Sequence, residues 1–91
     1  MRYKNNIGPQ VRRLRCAREW SQPTLAAKLQ IAGLDISRSS VSKIEARLVW
    51  VDDKTLLYLA ETLKVPVQDL FPPRQPGRLH EFMERLETTR F

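Results

Sequence analysis

The sequence predicts an all-α fold, and three observations carry that prediction. Apolar residues recur at helical spacing in one segment after another, with no convincing strand, no internal repeat and no low-complexity tract. Good capping residues stand immediately before those segments, and proline falls in their first turns. Third, the run Ile36-Ser37-Arg38-Ser39-Ser40-Val41-Ser42-Lys43-Ile44-Glu45 reads as a short helix with two unlike sides. Val41 and Ile44 suit a buried side. The opposite side carries Ser39, Ser42, Lys43 and Ala46, with Arg38 on the first turn.

Each element follows in turn. A first helix is expected from Ile7 to Glu19, capped by Asn6, with Pro9 where a missing N–H costs nothing. Ile7, Val11, Leu14 and Arg18 share one stripe, Arg12, Arg13 and Arg15 spread around the rest, and Trp20 closes the helix. Ser21 caps a second helix from Gln22 to Leu29, whose buried edge is Leu25, Ala26 and Leu29. The small Ala26 and Ala27 allow a close helix crossing. Gly33 is a C-cap or turn glycine. Ser37 caps the third helix, which is expected from Arg38 to about Arg47.

Beyond the apolar connector Leu48-Val49-Trp50-Val51, Asp52 caps a fourth helix, Asp53 to Lys64. Its Leu56, Leu57, Leu59, Ala60 and Leu63 make it the expected core spine, and its acidic start and final lysine suit the helix dipole. Pro66 opens a short fifth helix through Leu70 and Phe71. Pro72-Pro73-Arg74-Gln75-Pro76-Gly77 reads as a linker. From Arg78 to Thr89, Leu79, Phe82, Met83 and Leu86 line one face of a C-terminal amphipathic helix, against Glu81, Glu84, Arg85 and Glu87. The expected organisation is therefore a five-helix domain over 7–71, a linker over 72–77 and a tail over 78–91.

Size and charge narrow the function. A chain of 91 residues buries roughly 60–65% of its surface, enough for one helical core with little room for a catalytic pocket. Nothing approaches the roughly 20 apolar residues of a membrane span, and the polar start is unlike a signal peptide, so a cytoplasmic protein is expected. Cys16 is the single cysteine, which excludes an intramolecular disulfide and a multi-cysteine metal site, and the solitary His80 reads as a surface residue. No nucleophile has a matched base and no glycine-rich phosphate loop is present, so no enzyme, cofactor or metal is expected. The net charge of +6 is lopsided: residues 1–51 hold ten Lys/Arg against three Asp/Glu, residues 52–91 six against seven. One basic face meeting a polyanion accounts for that division. Aromatic residues are too few and scattered for stacking on single-stranded RNA.

A helix that buries two small aliphatics while showing hydroxyls, an amine and a guanidinium is built like one that enters a DNA major groove. Arginine or lysine offers donors to guanine O6 and N7, and serine pairs with several bases. Glu45 falls on the inward flank of the same helix beside Val41, where a carboxylate needs a partner.

Residues 7–71 resemble a Cro/cI-type DNA-binding domain, the lambda-repressor-like or XRE family. The resemblance rests on Ile7…Val11-Arg12…Leu14-Arg15, Ser21-Gln22…Leu25-Ala26…Leu29, Ser37 through Glu45, and Leu56…Leu59-Ala60…Leu63…Val65…Leu70-Phe71. It implies that the third helix lies in the major groove, with Arg38, Ser39, Ser42 and Lys43 where base edges are contacted. It implies a phosphate held by the backbone N–H and side-chain amide of Gln22, and an inter-helix ion pair between Arg15 and Glu45. Arg47 is a further expected phosphate contact, with Arg2, Lys4, Arg12 and Lys28 as candidates near the same face.

The implied function is a transcriptional regulator, expected to be a repressor acting as a homodimer on double-stranded DNA. A second reading is the antitoxin of a toxin–antitoxin pair, gripping a protein partner through 78–91; that tail equally suits a dimer contact or a fold-back onto its own domain. Two departures from the family stand out. The connection Gln30–Ile36 is several residues longer than usual, so either the second helix runs on by a turn or a looser loop bridges the gap. Arg47 also stands where a glycine is common.

Overall fold

A computed structural model describes residues 2–73. Four α-helices, α1 (Gly8–Ala17), α2 (Gln22–Ala32), α3 (Arg38–Glu45) and α4 (Asp53–Leu63), are followed by a single 3₁₀ turn, Val67–Leu70. The class is all-α, with no extended strand among the described residues. The fifth helix is this one turn, because the chain from Pro66 to Pro72 leaves too little length for more. The tail expected at 78–91, and the linker from Arg74 onward, lie outside the described residues.

Three helix starts follow the local chemistry. The hydroxyl oxygens of Ser21 and Ser37 accept from the amides of Thr24 and Ser40, at 3.2 and 3.1 Å. The Asp52 carboxylate accepts from Thr55 N–H at 2.8 Å, and hydrogen bonding from the Thr55 side chain and then its backbone holds the Asp52 pKa below the usual carboxylate value. The first helix departs from expectation. Its amides at Ile7 and Gly8 are capped by the Asn5 carboxamide oxygen at 3.1 and 2.9 Å, and Asn6 serves elsewhere. Asn5 wins because its own amide is pinned across the fold, donating to the carbonyls of Ile44 and Val49.

All four helices end in the same way. An amide one residue past the turn reaches five residues back: Trp20 to Arg15, Leu34 to Leu29, Leu48 to Lys43, and Val65 to Ala60. The residue before each is left-handed: Glu19, Gly33, Arg47 and Lys64, with φ of 59°, 115°, 64° and 58°. This is the Schellman arrangement, which satisfies carbonyls that the helix itself leaves open. Of the two routes open for the long connection, the chain takes the first: α2 continues to Ala32 before Gly33 turns it. Leu34 is then buried, and the Gln30 amide donates to Ile36 O at 2.5 Å, so the loop into α3 is ordered. Helix α3 ends at Glu45, two residues short of expectation, because Arg47 has turned left-handed.

α2 packs on α3 and α4, and α1 packs on α3, α4 and the 3₁₀ turn. Val11, Leu25, Leu29, Leu59, Leu63 and Leu70 meet in the centre, each at most 1% exposed. Leu57 does not join them: it is 59% exposed, while Leu56 is half-buried at the margin, so the α4 spine is narrower than its composition implies. Gly8 is where α1 touches the end of α3. A methyl there would stand 2.5 Å from Ile44 O and 2.7 Å from Glu45 O, so only a residue without a side chain permits the approach.

Candidate nucleic-acid interface

The polar side of α3 faces outward. Val41 and Ile44 are 1% and 4% exposed, and their burial leaves Arg38, Ser39, Ser42 and Lys43 on the surface. Ser37 anchors the first turn, so Arg38 and Ser39 leave a capped, rigid helix start rather than a fraying one. Eight residues of α-helix extend about 12 Å, and Arg38 and Lys43 are separated by about 7.5 Å along the axis. That length spans about four base pairs and separates the two cations by about two.

Glu45 holds α3 to the helices behind it. Its carboxylate accepts from Arg15 twice, Nε at 2.7 Å and Nη2 at 2.9 Å, and from the Gln22 amide at 3.1 Å. The third guanidinium nitrogen of Arg15 donates to Trp20 O at 2.7 Å. The Glu45 bond raises the Arg15 pKa, against the opposing effect of burial. Gln22 stands in the first turn of α2. Ser21 takes the amide of Thr24 and Pro23 has none, so the Gln22 N–H is a first-turn donor with no acceptor inside the helix. Its side chain is committed to Glu45, so the backbone N–H is the group better placed for an anion. A cleft of about 210 Å³ lies here, lined by Arg12, Arg15, Gln22, Ser42, Glu45 and Ala46. It brings the start of α2 and the outer side of α3 onto one surface.

Arg47, expected from the sequence as a phosphate contact, is engaged with the protein's own N-terminal segment. Its Nε donates to Asn5 O at 2.8 Å and its Nη2 to Asn6 Oδ1 at 2.7 Å, with the guanidinium 3.8 Å from the centre of the Tyr3 ring. The side chain is thus turned onto the N-terminal segment rather than held out at the helix end. Asn5, Asn6 and Tyr3 were not legible as parts of this site. The one available signal was an arginine at a position where the chain must turn left-handed. Lys28 lies over the Trp20 ring at 4.6 Å, with Arg18 at 5.9 Å from the same ring. Arg18 also donates to the carbonyls of Leu14 and Leu63, tying α1 to the end of α4.

A capped helix with a polar outer side, packed on the helix before it across a short turn and tied by a buried ion pair to the first helix, defines a helix-turn-helix protein. The helix-turn-helix family pattern matches residues 11–70, and the chain belongs to that DNA-binding, transcription-regulating family in its XRE, Cro/cI-like branch. Among solved structures it is similar to the restriction-modification controller protein C.AhdI from Aeromonas hydrophila. The two are 32% identical over 71% of this chain and 87% of that one, with a TM-score of 0.63. It shares a fold with the hypothetical transcription factor NHTF from Neisseria, with a TM-score of 0.65 at 20% identity over 91% of this chain and 94% of that one. No curated protein sequence matches. No helix among the described residues is long and apolar enough to cross a membrane.

Proposed function

We propose that the protein is a sequence-specific regulator of transcription that inserts α3 into the major groove of double-stranded DNA and acts as a repressor. The observation that carries this reading is the division of α3, whose two aliphatics are sealed in the core while Arg38, Ser39, Ser42 and Lys43 stand exposed on a rigid helix. Arg38 and Lys43 read guanine edges, and the two serines accept or donate according to the base they meet. The backbone N–H of Gln22 holds a phosphate beside the groove and sets the register. Likeness to a controller protein supports gene control as the role. The action is binding rather than catalysis, and a small protein seated on a promoter represses by occupying it.

Selection of bound sites from a random duplex pool tests the reading. The chain is expected to enrich a defined sequence. Arg38→Ala and Lys43→Ala should each relax preference at a few adjacent positions by about 1–3 kcal/mol. Two variants that keep the parental preference would refute major-groove reading by α3. A reporter carrying the selected site in its promoter should fall in output when the protein is supplied; a rise would make it an activator.

A further inference from the structure

Two separate fastenings hold α3, and only one of them is the Glu45 carboxylate. The other is a strap made from the residues ahead of α1. Asn5 is 6% exposed and makes four hydrogen bonds, two accepted from the amides of Ile7 and Gly8 where α1 begins and two donated to Ile44 O (3.3 Å) and Val49 O (2.9 Å) on either side of the α3 exit. Arg47 closes the strap from the other direction through Asn5 O, Asn6 Oδ1 and the Tyr3 ring, while its own carbonyl accepts from Lys4 N–H at 3.1 Å. Arg47 adopts a left-handed backbone that glycine would hold without strain, and its side chain makes contacts that no glycine could.

We infer that Asn5 and Arg47 are positioning residues for DNA reading: they set the pose of the C-terminal half of α3, and so the bases read by Ser42 and Lys43. The inference rests on the function proposed above. Base recognition tolerates little displacement, because hydrogen-bond geometry degrades within about 0.5 Å. Attraction of a cation to phosphate barely changes over such a shift. Loosening the strap therefore removes discrimination at one end of the site and leaves the salt-dependent affinity in place. A direct phosphate contact by Arg47 does the opposite, weakening all sequences alike and lowering the log–log salt slope by about 0.9 when the charge is removed.

The test is the same duplex selection with Arg47→Lys, Arg47→Gln and Asn5→Ser, at a temperature where circular dichroism shows each full chain folded, together with salt titrations on random duplex. Lysine keeps the charge but cannot supply the two donors of the guanidinium fork. All three variants should lose about fivefold in preference at the positions that Lys43→Ala identifies, with smaller losses at the Arg38 positions and an unchanged salt slope. Parental preference in Arg47→Lys, or uniform weakening with a reduced slope in Arg47→Gln, would overturn the inference. If Asn5→Ser does not fold, the two substitutions at half-buried Arg47 decide alone. A parental chain that enriches no sequence at all refutes the proposed function itself, and the positioning role falls with it.

Discussion

Glu45 accepts three hydrogen bonds at 8% exposure, and its main partner cannot escape by losing a proton. An arginine stays charged throughout the accessible pH range. Removing the carboxylate alone strands a buried cation; removing both charges does not. Glu45→Ala should therefore cost about 3–5 kcal/mol, while Arg15→Met combined with Glu45→Leu should recover most of that loss. Urea melts of the single and double variants measure the difference, and equal losses would show that the charges are not coupled. The inward position of Glu45 was readable from its place beside Val41 on a helix whose period is known. The Gln22 bond was not, since it depends on how closely α2 crosses α3, and periodicity does not report a crossing distance.

Among the elements, the starts were far more legible than the ends. Serine and aspartate announce a cap by side-chain chemistry, and Ser21, Ser37 and Asp52 all act as one. A helix C-terminus announces itself only when glycine occupies the left-handed position, as Gly33 does. Glu19, Arg47 and Lys64 hold the same conformation without any mark in residue type. A non-glycine residue there costs roughly 1–2 kcal/mol, partly offset by the greater freedom glycine would have in the unfolded chain. Lys64 is exposed at the end of α4, so Lys64→Gly should stabilise the protein by about 0.5–1 kcal/mol. Arg47→Gly gains the same backbone relief but loses the strap, and should be less stable than the parent. Thermal melts rank the two; stabilisation by both would show that the Arg47 side chain contributes nothing to the fold.

At the scale of the whole molecule, the basic half carries the proposed reading surface, and that surface is short. Residues 1–51 contain α1, α2 and α3 with ten Lys/Arg against three Asp/Glu, and the charge balance alone pointed to a polyanion. What charge could not indicate is how little sequence one copy would read through α3. The described residues extend 37 × 27 × 20 Å, and α3 covers about four base pairs, a sequence that recurs roughly once in 250. Two copies reading about eight base pairs reduce that to roughly once in 65,000. A two-fold pair must read its half-sites in opposite orientations, one helical turn or a multiple of it apart, about 34 Å between centres for the closest case. The duplex selection should accordingly return inverted repeats with that spacing. Titration onto such a site should saturate at two chains per duplex, and deleting one half-site should cost at least the full binding free energy that a lone half-site provides. A selected site without internal symmetry, saturating at one chain, would assign recognition to the monomer and leave its specificity to contacts beyond α3.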